Sequence, residues 1–184
     1  LQQLPANTSF ANVINHAHKI CPELQEYCDI NSHLFNGLKS NDKGSVGKMV
    51  EFFLFGQLPD TESKPDLGWA DIKTTHFESV WGDGLNAKER LTITNCGNTD
   101  DYSSFGNMLS SKTLQDSKFY PKIRRGLLFV FEYTSGKYND YEKNMQKRLL
   151  CAFIYDVDQL PGQLRGQLDF DFTDIQMKIK TQTV

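Results

Sequence analysis

The sequence predicts an α/β (α+β) fold, with a helical N-terminal part followed by a mixed central sheet flanked by helices. Three observations predict it. Helical apolar spacing dominates residues 10–56. Alternating or continuous apolar runs dominate from Asp71 onward. Two of those runs, 127–133 and 148–155, are apolar nearly throughout, as in strands covered on both faces. Helices followed by such strands form a layered fold around one core. A chain of 184 residues supports one domain, spanning 1–184, with the helical part at about 1–56 and the sheet at about 64–184.

Each element has its own signal. Thr8 or Ser9 can cap a first helix carrying Phe10, Val13, Ile14 and Ala17 on one face. A second, short helix is expected over Glu23–Tyr27, then a connection over Asn31–Ser40 with room for a further turn of helix. Val46, Met49, Val50, Phe53 and Leu54 follow a helical period, and Gly56 suits its C-terminal stop. Gly44 and Gly47 leave one side of that helix bare, so another part of the chain can approach closely. Strands are expected over Asp71–Phe77, Arg90–Thr94, Leu127–Tyr133, Arg148–Tyr155 and Phe170–Lys180. Residues 95–117 read as loop, with one helical turn near Phe105–Leu109.

Composition is that of an ordinary globular protein, and no apolar run approaches the ~20 residues that cross a bilayer. The start, Leu1–Pro5, has no basic region followed by an apolar one and no initiator Met, so a processed or excised segment is expected. Cys21, Cys28, Cys96 and Cys151 fit no zinc spacing. Free thiols, Cys151 in the core, and a reducing cytoplasmic location are the expectation. A net charge of −3 argues against a non-specific, charge-driven binder of nucleic acid, while leaving room for a local basic groove.

The chemistry concentrates in Lys64-Pro65-Asp66-Leu67-Gly68-Trp69-Ala70-Asp71-Ile72-Lys73. Asp71 and Lys73 are two apart on a strand, so they share a face. Asp66 precedes them across a short connection. Two carboxylates suit a hard divalent cation, with the backbone carbonyl of Ile72 as a third oxygen. Phosphodiester hydrolysis needs a deprotonated water, relief of negative charge at phosphorus and a neutralised leaving oxygen. A Mg²⁺ ion on Asp66, Asp71 and Ile72 serves the first two needs, and Lys73 activates water or stabilises charge. Short Asp-x-Lys strings also occur in ordinary surface turns, so the surroundings carry weight.

Glu51, on the polar side of the third helix, can add a carboxylate or hold the lysine. Lys122-Ile123-Arg124-Arg125 lies at the start of an apolar strand, where basic side chains meet phosphates at a cleft rim. His16 and His18 do not share a helix face and make a poor metal pair. His76 faces away from Lys73 and reads as structural. Trp69 can stack on a base, but packing against its turn is the expectation. No Ser-His-Asp set, P-loop or dinucleotide fingerprint is present.

The ordered strings Asp42-Lys43-Gly44-Ser45-Val46-Gly47-x3-Glu51, Ser63-Lys64-Pro65-Asp66 and Asp71-Ile72-Lys73-Thr74-Thr75 resemble the MutH type of DNA endonuclease. That family comprises the mismatch-repair nicking enzyme and related GATC type II restriction enzymes, within the PD-(D/E)xK superfamily. Lys88-Glu89-Arg90-Leu91 resembles the restriction branch. The resemblance implies a restriction-endonuclease-like sheet and a Mg²⁺-dependent endodeoxyribonuclease, with Mn²⁺ as a substitute and double-stranded DNA as partner. It implies Asp66 and Asp71 as metal ligands, Lys73 as catalytic lysine, Glu51 as supporting glutamate and Lys122 as a second active-site lysine. It also implies nucleic-acid contacts at Lys43, Ser45, Lys88, Arg124, Arg125 and Arg165. Asp71 stands where the family usually carries Glu, and the Asp66–Asp71 connection is shorter than the family's. Two other readings stay open at this point: a PD-(D/E)xK ribonuclease domain of a larger polypeptide, viral polypeptides included, and a non-catalytic nuclease-like nucleic-acid-binding module.

Overall fold

The computed structural model describes residues 8–35, 44–58, 64–79, 84–88, 106, 108–133 and 141–182. The fold is mixed α+β, with a four-stranded mixed open sheet flanked by helices. The helices are α1 (Phe10–Ile20), α2 (Pro22–Phe35), α3 (Ser45–Phe55), α4 (Tyr120–Arg124), α5 (Tyr141–Gln146) and α6 (Gly162–Gln182). The strands are β1 (Asp71–Ser79), β2 (Leu85–Ala87), β3 (Arg125–Glu132) and β4 (Leu149–Asp156), in the spatial order β2-β1-β3-β4. β1 and β2 pair antiparallel, with Phe77 opposite Ala87.

The chain divides into two compact units. One comprises residues 1–61, 72–91 and 127–153, and the other 62–71, 92–126 and 154–184. In the first, Ser9 caps α1, its Oγ accepting from the Asn12 N–H at 3.3 Å. Phe10, Val13 and Ile14 of α1 join Val46, Met49, Val50 and Phe52 of α3 in the core. Phe10 meets Phe131 of β3 edge to face, with centroids 5.3 Å apart. Gly56 stops α3 at φ 64°; its N–H bonds Phe52 O at 2.9 Å and that of Gln57 bonds Glu51 O at 3.0 Å. A Cβ on Gly47 would lie 3.4 Å from Thr74 Oγ1, so the bare helix face does admit a close neighbour.

The second unit is centred on Met108, Leu114, Phe119 and Phe172, with Leu168, Ile123 and Ile179 packed against them. Gln176 Nε2 donates to Ser111 O at 2.9 Å and to Met108 O, satisfying carbonyls of that loop.

Four expectations are corrected. Residues 170–180 are helix, part of α6, and not a strand. Leu168, Phe172, Gln176 and Ile179 recur every three or four residues and face the core. The Phe170/Phe172 alternation is misleading because Phe170 is exposed. Residues 148–155 do form a strand, but not a buried one: Cys151, Ala152, Phe153 and Ile154 are all exposed. β4 is last in the sheet order, so it lacks the double coverage that its apolar run implied. For the same reason Cys151 is an exposed thiol and not a core one. Finally, α2 is a 14-residue helix, longer than the one expected over Glu23–Tyr27, and its end takes in Asn31–Phe35, where a further helical turn had its place. The strand expected at Arg90–Thr94 and Cys96 lie outside the described residues.

Candidate active site

The Pro65–Ala70 segment is a tight turn. Gly68 adopts φ 74° and its N–H bonds Pro65 O at 2.8 Å, while the Leu67 N–H bonds Ala70 O at 3.0 Å. A side chain at 68 would be strained in that left-handed backbone. The turn carries a half-buried Asp66 and delivers Asp71 to the first position of β1. Trp69 is 51 % exposed, so it does not bury itself against its own turn as expected.

Asp71 is fully buried. Its Oδ1 lies 3.7 Å from Lys122 Nζ, an ion-pair distance longer than a hydrogen bond. Burial of a carboxylate is costly unless a charge or a bound cation accompanies it. Lys122 is 23 % exposed, so its ammonium spans from the buried carboxylate toward solvent.

What aims Lys122 is the clamping of α4, a helix of five residues. Tyr120 OH donates to Asp158, and Arg124 Nε donates to Asp158 Oδ2 at 2.6 Å. Arg125 donates to Asp156 Oδ2 through Nη2 at 2.6 Å and Nε at 3.0 Å. Asp156 Oδ1 also accepts the Asp158 N–H at 3.0 Å, capping the 3₁₀ turn Val157–Gln159. The basic string Lys122–Arg125 is thus divided among three aspartates. Arg125 holds the Asp156 carboxyl below its ordinary range, and Tyr120 and then Arg124 do the same for Asp158. The hydrogen bond to Asp158 also raises the Arg124 guanidinium.

The other expected site residues fall as follows. Glu51 is half-buried on α3, its Oε1 3.9 Å from where a Gly47 Cβ would stand, beside Thr74 of β1. Lys73 is half-buried on β1, two residues beyond Asp71, and the Ile72 side chain between them is buried. Ser45 is buried and accepts from Asn144 Nδ2 at 3.0 Å. Lys88 pairs with Glu78 at 2.7 Å and lies 4.6 Å above the Tyr133 ring. That glutamate raises the Lys88 ammonium. Arg165 Nη1 reaches Asp158 O at 3.5 Å. Lys43 lies outside the described residues.

Asp156, Asp158 and Tyr155 were missed by sequence reasoning. Their only signal is the string Tyr155-Asp156-Val157-Asp158 closing an apolar strand, complementary in charge to Lys122–Arg125. His76, expected to be structural, is 3 % exposed and its Nε2 meets Lys147 Nζ at 2.8 Å.

Among the described residues no group of three or more His, Cys, Asp and Glu side chains is gathered for a metal. Asp66 and Asp71 are two carboxylates in one unit, an all-oxygen pair suited to a hard cation that keeps most of its waters. The buried Asp71 carboxylate fits such an ion. No family model, curated protein or solved structure matches this chain.

Proposed function

We propose that this protein is a metal-dependent endonuclease that hydrolyses phosphodiester bonds of DNA, of the MutH-like PD-(D/E)xK type. The observation that carries the reading is the wholly buried Asp71 at the start of β1, with Lys122 Nζ 3.7 Å from its Oδ1. The pair joins a buried carboxylate to an ammonium that reaches solvent, the side from which a metal ion and a phosphate would arrive.

Asp66 and Asp71 would hold Mg²⁺ or Mn²⁺, with the carbonyl of Ile72 as a backbone donor. When bound, the ion supplies charge stabilisation at the phosphoryl group and a more acidic water. Lys73 follows on the same strand face as Asp71 and serves to orient water or neutralise developing charge. Lys122 offers its ammonium to a phosphate oxygen while its stem stays packed. Glu51 supports β1 from α3 through the close approach at Gly47. Arg124 and Arg125, held by Asp158 and Asp156, serve the site by fixing α4 rather than by gripping phosphates.

The test is incubation with DNA and with RNA, in Mg²⁺, Mn²⁺ or EDTA, beside Lys73→Ala. Metal-dependent cutting of DNA that Lys73→Ala abolishes is expected. Cutting of RNA alone would move the substrate, and absence of cutting in every metal would remove the enzyme reading.

A further inference from the structure

Trp69 stands in the turn that links the two proposed metal carboxylates, and the proposed chemistry gives it no part. It is 51 % exposed, and its indole has no hydrogen bond or ring contact among the described residues. Pro65 and Leu67 of the same turn are half-buried, and Ala70 and Asp71 are fully buried. Trp69 is thus the last exposed side chain before β1 enters the core.

The backbone under the indole is fixed and close to the chemistry. The Leu67 N–H bonds Ala70 O at 3.0 Å, closing the turn directly around Trp69, and buried Ala70 anchors the position that follows. Two peptide units separate Trp69 from Asp71, so their Cα atoms lie at most about 7 Å apart. Along one strand of nucleic acid that is about two steps of roughly 3.4 Å. A Cβ at Gly68 would meet nothing within 4 Å, so the space beside the turn is open. Trp69, Asp66, Asp71 and Lys122 belong to the same compact unit.

We infer that Trp69 is a substrate-binding residue whose exposed indole stacks on an unpaired nucleobase beside the phosphate that is cut, so that the preferred DNA is single-stranded or locally unpaired there. Every base has a π-face, so an indole takes any of the four without reading sequence. In an intact duplex both faces of a base are covered by its neighbours. Freeing a face costs energy, and costs least where the base is already unpaired. The other partner open to an exposed indole is a protein surface. Nearness to the carboxylates selects the nucleobase, because a phosphate held at Asp66 and Asp71 brings its own bases within reach of the ring.

The inference rests on the nuclease reading, so its test separates the two. Cleavage in Mg²⁺ is measured on the full chain for wild type, Trp69→Leu and Trp69→Phe. The substrates are a fully paired duplex, the same duplex with a short unpaired bulge, and a bulged duplex whose unpaired nucleotides are abasic. Native circular dichroism is expected of both variants, since the position is exposed. Trp69→Leu is expected to lose roughly 5- to 150-fold in kcat/KM on bulged DNA, the range for one stacked base, and to match wild type on the paired duplex. Trp69→Phe keeps an aromatic face and most of the rate. Abasic nucleotides should lower the wild type to the level of Trp69→Leu and leave Trp69→Leu unchanged. Equal rates for wild type and Trp69→Leu on bulged DNA overturn the inference and leave the nuclease standing. So does a loss in Trp69→Leu that abasic nucleotides fail to reproduce, or a change in oligomeric mass with rates unaltered, which assigns the indole to a protein contact. No cleavage of any of these DNAs by the wild type overturns both.

Discussion

Two lysines meet residues of β1, Lys122 at Asp71 and Lys147 at His76, and the contacts differ in kind. Lys147 is 4 % exposed and its Nζ lies 2.8 Å from His76 Nε2, a hydrogen bond of ordinary length. With Lys147 as an ammonium, its Nζ donates and His76 Nε2 accepts. The His76 ring is tilted 40° against Phe131, with centroids 6.3 Å apart. Lys122 is partly exposed and stands 3.7 Å from a fully buried carboxylate oxygen. The difference teaches that burial alone does not mark a reactive group. The Lys147–His76 contact is at hydrogen-bond length between two buried groups, whereas the Lys122–Asp71 pair is longer and reaches solvent, which is the opening that the proposed metal site would use.

The comparison can be broken at either end. The largest effect is expected at Asp71: Asp71→Asn should cut DNA roughly 10³-fold more slowly, about 4 kcal/mol of transition-state stabilisation, while circular dichroism stays native. Equal rates would place Asp71 among structural residues. Next comes His76→Ala, which removes a buried hydrogen-bond partner of Lys147 and should lower unfolding free energy in urea by about 2 kcal/mol. Its cleavage rate per folded molecule should match wild type. Lys122→Ala should slow cleavage on the order of 10²-fold, and a normal rate would make Lys122 a bystander of α4.

The smallest effect concerns the clamp on α4. Asp156 and Asp158 have folded pKa values below their ordinary ones, so their stabilisation is present above the usual carboxylate range. It is lost as pH falls through the lowered values, which places the loss below about pH 4. Melting temperature followed downward from about pH 6 should therefore drop less steeply in Asp158→Asn than in wild type. Both carboxylates are part-exposed, at 15 % for Asp156 and 29 % for Asp158, and pair with more exposed arginines, so the change is modest.

Local signals were legible where they were repeated. Val46, Met49 and Val50 with Gly56 announced α3, and Ser9 before Phe10 announced α1. Asp71–Phe77 and Leu127–Tyr133 announced β1 and β3, because central strands in this sheet match their apolar patterns. α6 was hidden because Gln176 occupies a core position and exposed Phe170 mimics strand alternation. β4 was legible as a strand but not as an edge, since position in a sheet is a tertiary fact. The approach of Lys122 to Asp71 spans 51 residues of sequence and has no local trace (122 less 71). Its expectation came from family resemblance, and the division of Arg124 and Arg125 between Asp158 and Asp156 came from neither source.

The most direct test of the account is thermal unfolding with and without Mg²⁺ for wild type, Asp71→Asn and His76→Ala. Ligand that binds only the folded state stabilises it, by about 2.7 kcal/mol at roughly 100 times its dissociation constant. The account predicts a Mg²⁺-induced rise in melting temperature for wild type and an equal rise for His76→Ala, with none for Asp71→Asn. An undiminished rise in Asp71→Asn, or no rise in wild type with either Mg²⁺ or Mn²⁺, would contradict it.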